Sequence, residues 1–242
     1  MPNLSENPYM TRSAAKWVIF DGDNTLWDLE SLYNDARIAL CELVGGGEIT
    51  MKAVDTYQRD CDKKLYAEMG YSPKRFPRSL ADTACHFLGE GDSRIDAARS
   101  LGEAVFSATA DTPDDLDSCL TELASSHRLA LLTVGDYEIQ AMRLQHLGRH
   151  THFDAVKVVE RKDIATLAAF LVEIGADPAQ SWMVGDSVRS DIIPAVAVGL
   201  RAIHLKVDNW HEVEVAGNEL PAEAHVAESL TEAAAVIIAS GT

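Results

Sequence analysis

Two aspartates stand two positions apart in VIFDGDNTLWD, directly after an apolar run. Because Asp21 and Asp23 follow a segment typical of a buried strand, we expect them at its carboxyl end, where open α/β sheets place their ligand sites. Just past the strand, both carboxylates can converge on one ligand. The same residues also fit an ordinary polar turn between a strand and a helix, so this motif alone leaves both interpretations open.

Three later apolar runs also end in polar or charged residues. Thr133 ends the run in LLTVGD, Lys162 follows the next run in VVERKD, and Asp186 and Asp191 follow another in MVGDSVRSD. Each of these residues alone fits an ordinary role as a β-former, a surface lysine or a helix cap. Together they bring acids, a hydroxyl and a cation to one sheet edge. This set suits phosphoryl chemistry, because carboxylates hold Mg²⁺ while lysine and hydroxyl donors neutralise the transferring group.

The elements that would position these residues alternate between short apolar runs and longer helical patterns. The runs are nearly continuously apolar, as expected for parallel strands that are covered on both faces. We therefore predict an α/β fold, with a Rossmann-like parallel sheet and helices on both sides. The predicted strands are KWVIF, RLALLTV, DAVKVV, SWMV and RAIHL.

About a hundred residues without a convincing strand separate the first two runs. Helical patterns fill this gap: apolar residues recur at steps of three or four from Met51 to Met69, with Thr50 before them and Gly70 as a stop signal. Ser31 could cap an earlier helix. We predict a helical cap domain over residues 31–113, inserted into a core formed by 14–30 and 114–242, and a flexible tail over 1–13.

The chain of 242 residues carries a formal net charge of −17. An acidic protein repels nucleic acid and anionic membranes, so neither is expected as a partner. No apolar run approaches the roughly 20 residues that span a bilayer. The four cysteines lie 20 or more residues apart and match no zinc or redox motif. These features predict a cytoplasmic protein with reduced thiols, either a monomer or a homodimer.

The order of the motifs resembles that of the haloacid dehalogenase-like (HAD) hydrolase superfamily over nearly the whole chain. The resemblance is carried by DGDNTL, LLTVGD, the lysine of VVERKD and VGDSVRSD. The helical insertion resembles the cap of the phosphatase branch, a lid that excludes water and contacts the substrate beyond its phosphate. The resemblance implies a Mg²⁺-dependent phosphatase that acts on a small phosphorylated metabolite through an aspartyl-phosphate.

The resemblance also implies a role for each matching residue. Asp21 would attack phosphorus, and Asp23 would protonate the leaving oxygen and then deprotonate the hydrolytic water. Thr133, Val134 and Lys162 would bind the phosphoryl oxygens.

Mg²⁺ would be held by four of the aspartates. The implied ligands are the carboxylates of Asp21 and Asp186, the backbone carbonyl of Asp23, and Asp191 directly or through water.

Two positions depart from the commonest pattern of the family. Asn24 stands where glycine is usual, and Asp163 follows the motif lysine where proline is common. Lys157 is therefore an alternative to Lys162 as the motif lysine, although Lys157 would lie inside its strand rather than beyond its end.

Other reactions of the superfamily fit the sequence less well. Dehalogenases do not keep an acid at the position of Asp23, because a halide leaving group needs no proton. Phosphonate hydrolysis would need a cap lysine, for which Lys63 and Lys64 are the candidates, although their spacing favours a solvent-facing position. A phosphomutase, or a non-catalytic module that binds phosphorylated ligands, remains an alternative.

The segment KRFPRS forms a basic cluster in an otherwise acidic chain. From it we predict that Arg75 and Arg78 bind substrate, although a solvated turn would account for the same residues. His146, His150 and His152 do not have the spacing of a compact metal site.

Overall fold

Each of the five predicted apolar runs forms a strand in the computed structural model, which describes residues 15–148, 152–206 and 219–240. The predicted tail over 1–13 lies outside these residues. All strand pairs are parallel, in the order β3-β2-β1-β4-β5-β6. The strands are β1 (Trp17–Phe20), β2 (Arg128–Val134), β3 (Ala155–Val159), β4 (Trp182–Gly185), β5 (Arg201–Leu205) and β6 (His225–Ala227). The predicted α/β fold with a parallel sheet is confirmed.

Helices cover both faces of this sheet and fill the long insertion after β1. None of the helices within the described ranges combines the length and apolar character needed to cross a membrane. The helices are α1 (Leu29–Val44), α2 (Met51–Met69), α3 (Arg75–Leu88), α4 (Arg94–Ser107), α5 (Leu116–Ala124), α6 (Tyr137–Leu147), α7 (Ile164–Ile174), α8 (Ile193–Ala197) and α9 (Leu230–Ala239).

Alternation along β1 explains why this strand is apolar at every position. Val18 and Phe20 pack on one face of the sheet, in a cluster that includes residues of α5 and α9. Trp17 and Ile19 pack on the other face, in a cluster that includes residues of α7 and α8. Because β1 lies between β2 and β4, the residue that follows Phe20 emerges at the centre of the carboxyl edge.

The helices α1 to α4 pack around a hydrophobic cluster separate from those of the sheet. The chain enters and leaves this helical layer at one crossing, where the Asp28 amide donates to the Asp111 carbonyl at 2.8 Å. The division into a core and a cap at residues 31 and 113 stays a prediction. The start of α1 differs from the one predicted: Asp28, rather than Ser31, caps the helix by accepting from the Ser31 amide at 3.0 Å.

The helix α2 begins after Thr50 and ends before Gly70, as predicted, but its buried face is rotated from the predicted apolar stripe. Met51 is 51% exposed, whereas the polar Gln58 and Asp62 are buried. These two residues contact arginines of α1 and α3, so the helix uses part of its inner face for polar contacts.

Candidate active site

The predicted nucleophile lies at the centre of the carboxyl edge of the sheet. Asp21 is buried directly after β1, and its amide donates to the Val184 carbonyl at 2.9 Å. The ammonium of Lys162 contacts the carboxylates of both Asp21 and Asp191. Three of the predicted site residues, from three separate segments, are thus joined in one buried ionic group.

Three carboxylates form a possible cation site in the described part of the chain. Oxygens of Asp21, Asp186 and Asp191 all lie within 4.8 Å of one another, and all three residues are buried. Lys162 offsets one of the three negative charges, so a divalent cation would balance the rest. The donors are hard carboxylate oxygens, which are the ligands that Mg²⁺ prefers. The residues therefore fit the implied metal, while the carbonyl ligand predicted from Asp23 stays a prediction.

The ionic group shifts the acidity of its members. Burial raises the pKa of Asp21 from 3.8 to about 7; Lys162 opposes the rise, and Asp191 and Asp23 add to it. Burial also disfavours the charged form of Lys162, but Asp191 and Asp21 raise its pKa above the ordinary value. Lys162 therefore stays a cation, and its charge favours the carboxylate form of Asp21.

The choice between the two candidate lysines follows from their contacts. Lys162 reaches Asp21, whereas Lys157 lies within β3, pairs with Glu173 and sits over the Phe170 ring. Lys162 is thus the lysine that the fold brings to the site.

The two departures from the commonest motif pattern have local structural explanations. Asn24 has a positive φ of 60°, a conformation that asparagine adopts more readily than most residues. Its side chain also accepts from the amides of Leu29 and Glu30 at 3.0 and 2.9 Å, which secures the start of α1. Asp163 caps α7 by accepting from the Thr166 amide at 2.8 Å.

Thr133 and Val134 end β2 beside the loop of the first motif. Thr133 is buried, and a Cβ atom at Gly22 would lie 3.0 Å from its hydroxyl and 2.4 Å from the Trp27 ring. This close approach explains the glycine between the two acids. The carbonyl of Val134 accepts from the Gln140 side chain at 3.0 Å.

Asp23 is only half-buried and is surrounded by hydrogen-bond donors. Its Oδ1 accepts from Trp27 Nε1 at 2.6 Å and from Arg143 Nη1 at 2.8 Å, and its Oδ2 accepts from Gln140 Nε2 at 3.1 Å. None of these three residues was predicted from the sequence. Gln140 and Arg143 recur three positions apart in YEIQAMRLQHL, and that spacing is the one signal that could have indicated them.

Asp191 is held by the turn that follows β4. Asp191 lies in a single π-helical turn over Val188–Ile192, and its Oδ2 accepts from the amide of Ser187, the N-cap of that turn, at 3.1 Å. A Cβ atom at Gly185 would lie 2.4 Å from the same oxygen. Glycine at this position is therefore required for the placement of Asp191.

Gly185→Ala is expected to displace Asp191 and to lower kcat/KM by about 10-fold or more, because misplaced groups at such sites commonly cost 10- to 100-fold. The matched control is Gly148→Ala, which has backbone strain from its φ of 66° but no atom within 4 Å of the new Cβ. Steady-state kinetics and thermal unfolding compare the two variants. Equal activity in both would contradict the role given to Gly185.

The two predicted substrate-binding arginines lie in different surroundings. Arg75 is buried on α3, where it pairs with Asp62 at 3.2 Å and lies over the Tyr66 ring. Arg78 is half-exposed and pairs with Asp82 one turn along α3. Arg78 lies on the solvent-facing side of its helix, and the role of both arginines in substrate binding stays a prediction.

The residues considered for other chemistries lie at the surface. Lys63 and Lys64 are exposed on α2, as their spacing indicated. His146 is exposed and His152 is half-buried, while His150 lies outside the described residues.

A family comparison agrees with this geometry. The sequence model of haloacid dehalogenase-like hydrolases matches residues 18–205, which include every aspartate of the site. The chain belongs to this family. A haloacid dehalogenase-like hydrolase from Xanthomonas campestris has a similar structure, with a TM-score of 0.74 and 24% identity over 93% of this chain and 96% of that one.

Curated relatives of the chain are enzymes named for phosphate esters. A pyrimidine 5'-nucleotidase from Escherichia coli (strain K12) is 25% identical over 82% of this chain and 89% of its own length. A human N-acylneuraminate-9-phosphatase is 33% identical, but the match covers 37% of this chain and spans only 38% of that protein.

Proposed function

We propose that this hydrolase is a Mg²⁺-dependent phosphatase that cleaves a small phosphate monoester through an aspartyl-phosphate on Asp21. The observation that carries the proposal is the contact of Lys162 with Asp21 and Asp191, beside Asp186. Such an ionic group provides a nucleophile, a cation and a metal site in one place. Relatives named as a phosphatase and a nucleotidase support the choice of ester.

The covalent step is assigned to Asp21. One of its oxygens attacks phosphorus, the bond between phosphorus and the leaving oxygen breaks, and the phosphoryl group is transferred to the carboxylate. Lys162 reduces the repulsion between this carboxylate and an incoming dianion. Mg²⁺, when bound, would neutralise further negative charge on the transferring group.

The proton transfers are assigned to Asp23. It donates a proton to the leaving oxygen in the first step, and it accepts one from the water that attacks phosphorus in the second. Inorganic phosphate leaves, and Asp21 and Asp23 return to their starting states. A halide leaving group would need no such proton, so the presence of Asp23 favours a phosphate ester over a haloacid.

The substrate is proposed to be a small phosphorylated metabolite, and the cellular location to be the cytoplasm. The net charge of −17 supports the exclusion of nucleic acid and anionic membranes as partners. A monomer or a homodimer is proposed as the working assembly.

Phosphate release from a panel of sugar phosphates, nucleotides and phosphorylated acids, with and without Mg²⁺, tests the activity. The same reactions are analysed for isomerised sugar phosphates, because a phosphomutase would form isomers and release little phosphate. Metal-dependent phosphate release is the expected result. Isomers without phosphate would favour the mutase, and binding without turnover would favour a non-catalytic module.

Mg²⁺ is expected to stabilise the folded protein through the aspartate cluster. At about 100 times the Kd, a bound ion adds roughly 2.7 kcal/mol, which raises Tm by about 5–10 °C for a chain of this size. Asp186→Asn removes one of the three clustered carboxylates and is expected to lose most of this shift. Thermal unfolding with EDTA and with Mg²⁺ measures the effect without any need for activity.

Asp154→Asn is the matched control for this measurement. Asp154 pairs with Arg128 at the start of β2, which is the opposite end of the sheet. This variant is expected to keep the Mg²⁺ shift. The cation site would be wrongly placed if Asp186→Asn also kept the full shift.

A further inference from the structure

The helix α6 turns polar side chains toward the protein interior. Its buried residues are Gln140 and Arg143, which are 3% and 5% exposed. They stand three positions apart and therefore share one side of the helix. A helix that packs beside a sheet ordinarily places apolar residues on its inner side. On α6 the two most buried positions are polar instead, although Leu144 and Leu147 on the same side pack against the sheet cluster, and these two polar residues call for an explanation.

Both inward side chains bind the same carboxylate. Arg143 Nη1 donates to Asp23 Oδ1 at 2.8 Å, and Gln140 Nε2 donates to Asp23 Oδ2 at 3.1 Å. Trp27, four residues after Asp23, also donates to Oδ1, at 2.6 Å. Each oxygen of Asp23 thus has at least one donor from α6, which fixes both the position and the rotation of the carboxylate.

Gln140 also ties this carboxylate to the second motif. The same Nε2 that binds Asp23 donates to the carbonyl of Val134, at the end of β2. The loop after β1 and the loop after β2 are therefore joined through one amide. A shift of Asp23 would have to break this bridge or move both loops.

The contacts of Arg143 do not suggest a residue selected for stability. Its Nε and Nη2 atoms are buried and have no hydrogen-bond partner within the described residues. Burial of a guanidinium with unused donors costs free energy, and an apolar residue of similar volume would often be more stable. The hydrogen bond from Arg143 Nη1 to the Asp23 carboxylate explains the arginine better.

We propose that Arg143 and Gln140 are positioning residues for Asp23. They hold its carboxyl group in the orientation from which it exchanges a proton with the leaving oxygen. This inference rests on the proposed function, because it concerns the acid and base of that reaction. It extends the site to α6, a helix to which none of the motif residues belongs.

If Arg143 positions Asp23 for proton transfer, the effect of replacing Arg143 on the rate should depend on the leaving group. A leaving group that departs as a stable anion needs little protonation, whereas a poor one needs Asp23 in place. Loss of Arg143 should therefore slow the cleavage of a poor leaving group more than that of a good one. A purely structural role would slow both equally.

The test uses p-nitrophenyl phosphate and phenyl phosphate, which are similar in shape but differ in leaving group. Arg143→Met is expected to lower kcat/KM for phenyl phosphate about 10-fold more than for p-nitrophenyl phosphate, a part of the 10²- to 10⁴-fold that general acids supply. Arg143→Lys keeps one donor and is expected to recover much of the loss. Gln140→Leu removes the other donor without a change of charge and is expected to show the same selectivity, so the test does not depend on one variant folding.

The double variant Arg143→Met with Asp23→Asn is expected to be little worse than Asp23→Asn alone, because residues that act through one another are not additive. Arg128→Met is the control, since it removes an arginine that pairs with an aspartate at the far end of β2. Equal losses on both substrates, or additive losses in the double variant, would overturn the positioning role. Failure of the wild-type protein to release phosphate from these two esters and from every ester of the panel would overturn the proposed function and this inference together.

Discussion

Asp21→Asn is expected to abolish phosphate release, with kcat reduced by about 10⁴-fold or more, as for other covalent nucleophiles. An amide is nearly isosteric with the carboxylate, so the side chain should keep its place beside Lys162. The amide is a poor nucleophile and cannot form the acyl phosphate that the aspartate would form. Steady-state assays on the best ester of the panel measure the loss, and near-native turnover in this variant would contradict the covalent route.

The same variant should be more stable than the wild type without metal. The pKa of Asp21 is raised from 3.8 to about 7 in the folded protein, so the folded state favours the neutral acid. The ionised carboxylate therefore costs stability progressively as pH rises from about 4 to about 7. The neutral amide avoids this cost, so the gain should be largest near pH 8 and absent near pH 4.

Thermal unfolding of Asp21→Asn and of the wild type in EDTA, near pH 4 and near pH 8, tests whether the variant is the more stable protein. Each kcal/mol corresponds to a Tm shift of about 2–4 °C for a chain of this length. If Asp21→Asn were less stable than the wild type near pH 8, the ionised carboxylate of Asp21 would stabilise the folded protein, and the expected effect would have the wrong sign.

Lys162→Met is expected to reduce both stability and activity strongly. Lys162 contacts the buried carboxylates of Asp21 and Asp191, and removal of one partner from a buried ionic group commonly costs about 3–5 kcal/mol. The pKa of Asp21 should rise further without the cation, so the loss of stability should grow as pH rises. Denaturant unfolding at two pH values, together with phosphate release, measures both effects.

Lys157→Met is the matched control for Lys162→Met. Lys157 pairs with a partly exposed Glu173, and exposed ion pairs contribute about 0–1 kcal/mol. This variant should therefore unfold near the wild-type midpoint and keep its activity. An inactive Lys157→Met beside an active Lys162→Met would reverse the assignment of the motif lysine.

The sheet and the buried ionic group could be predicted because short, local sequence patterns indicate them. Apolar runs identified five strands, and the parallel order then required residues just past their ends to share one edge. Asp21, Lys162 and Asp191 meet for that reason, although 141 residues separate Asp21 from Lys162. The short β6 was missed, since a three-residue strand with two exposed positions carries no pattern.

The surroundings of Asp23 could not be predicted because they depend on how a helix is rotated. Gln140 and Arg143 belong to a helix with no clear apolar stripe, so the sequence did not indicate which side faces inward. The inserted helices α1 to α4 presented a similar difficulty. Gln58 and Asp62 are buried on α2 because arginines on neighbouring helices bind them, and such pairs cannot be assigned without the packing.

Capture of the covalent intermediate tests the central claim most directly. The wild-type protein is mixed with Mg²⁺ and the best ester of the panel, quenched in acid, and digested for mass spectrometry of the peptide that contains Asp21. The account predicts a phosphoryl group on Asp21 that is absent in Asp21→Asn and disappears once substrate is exhausted. Rapid phosphate release with no modified Asp21 at any quench time, and undiminished release in the variant, would contradict it.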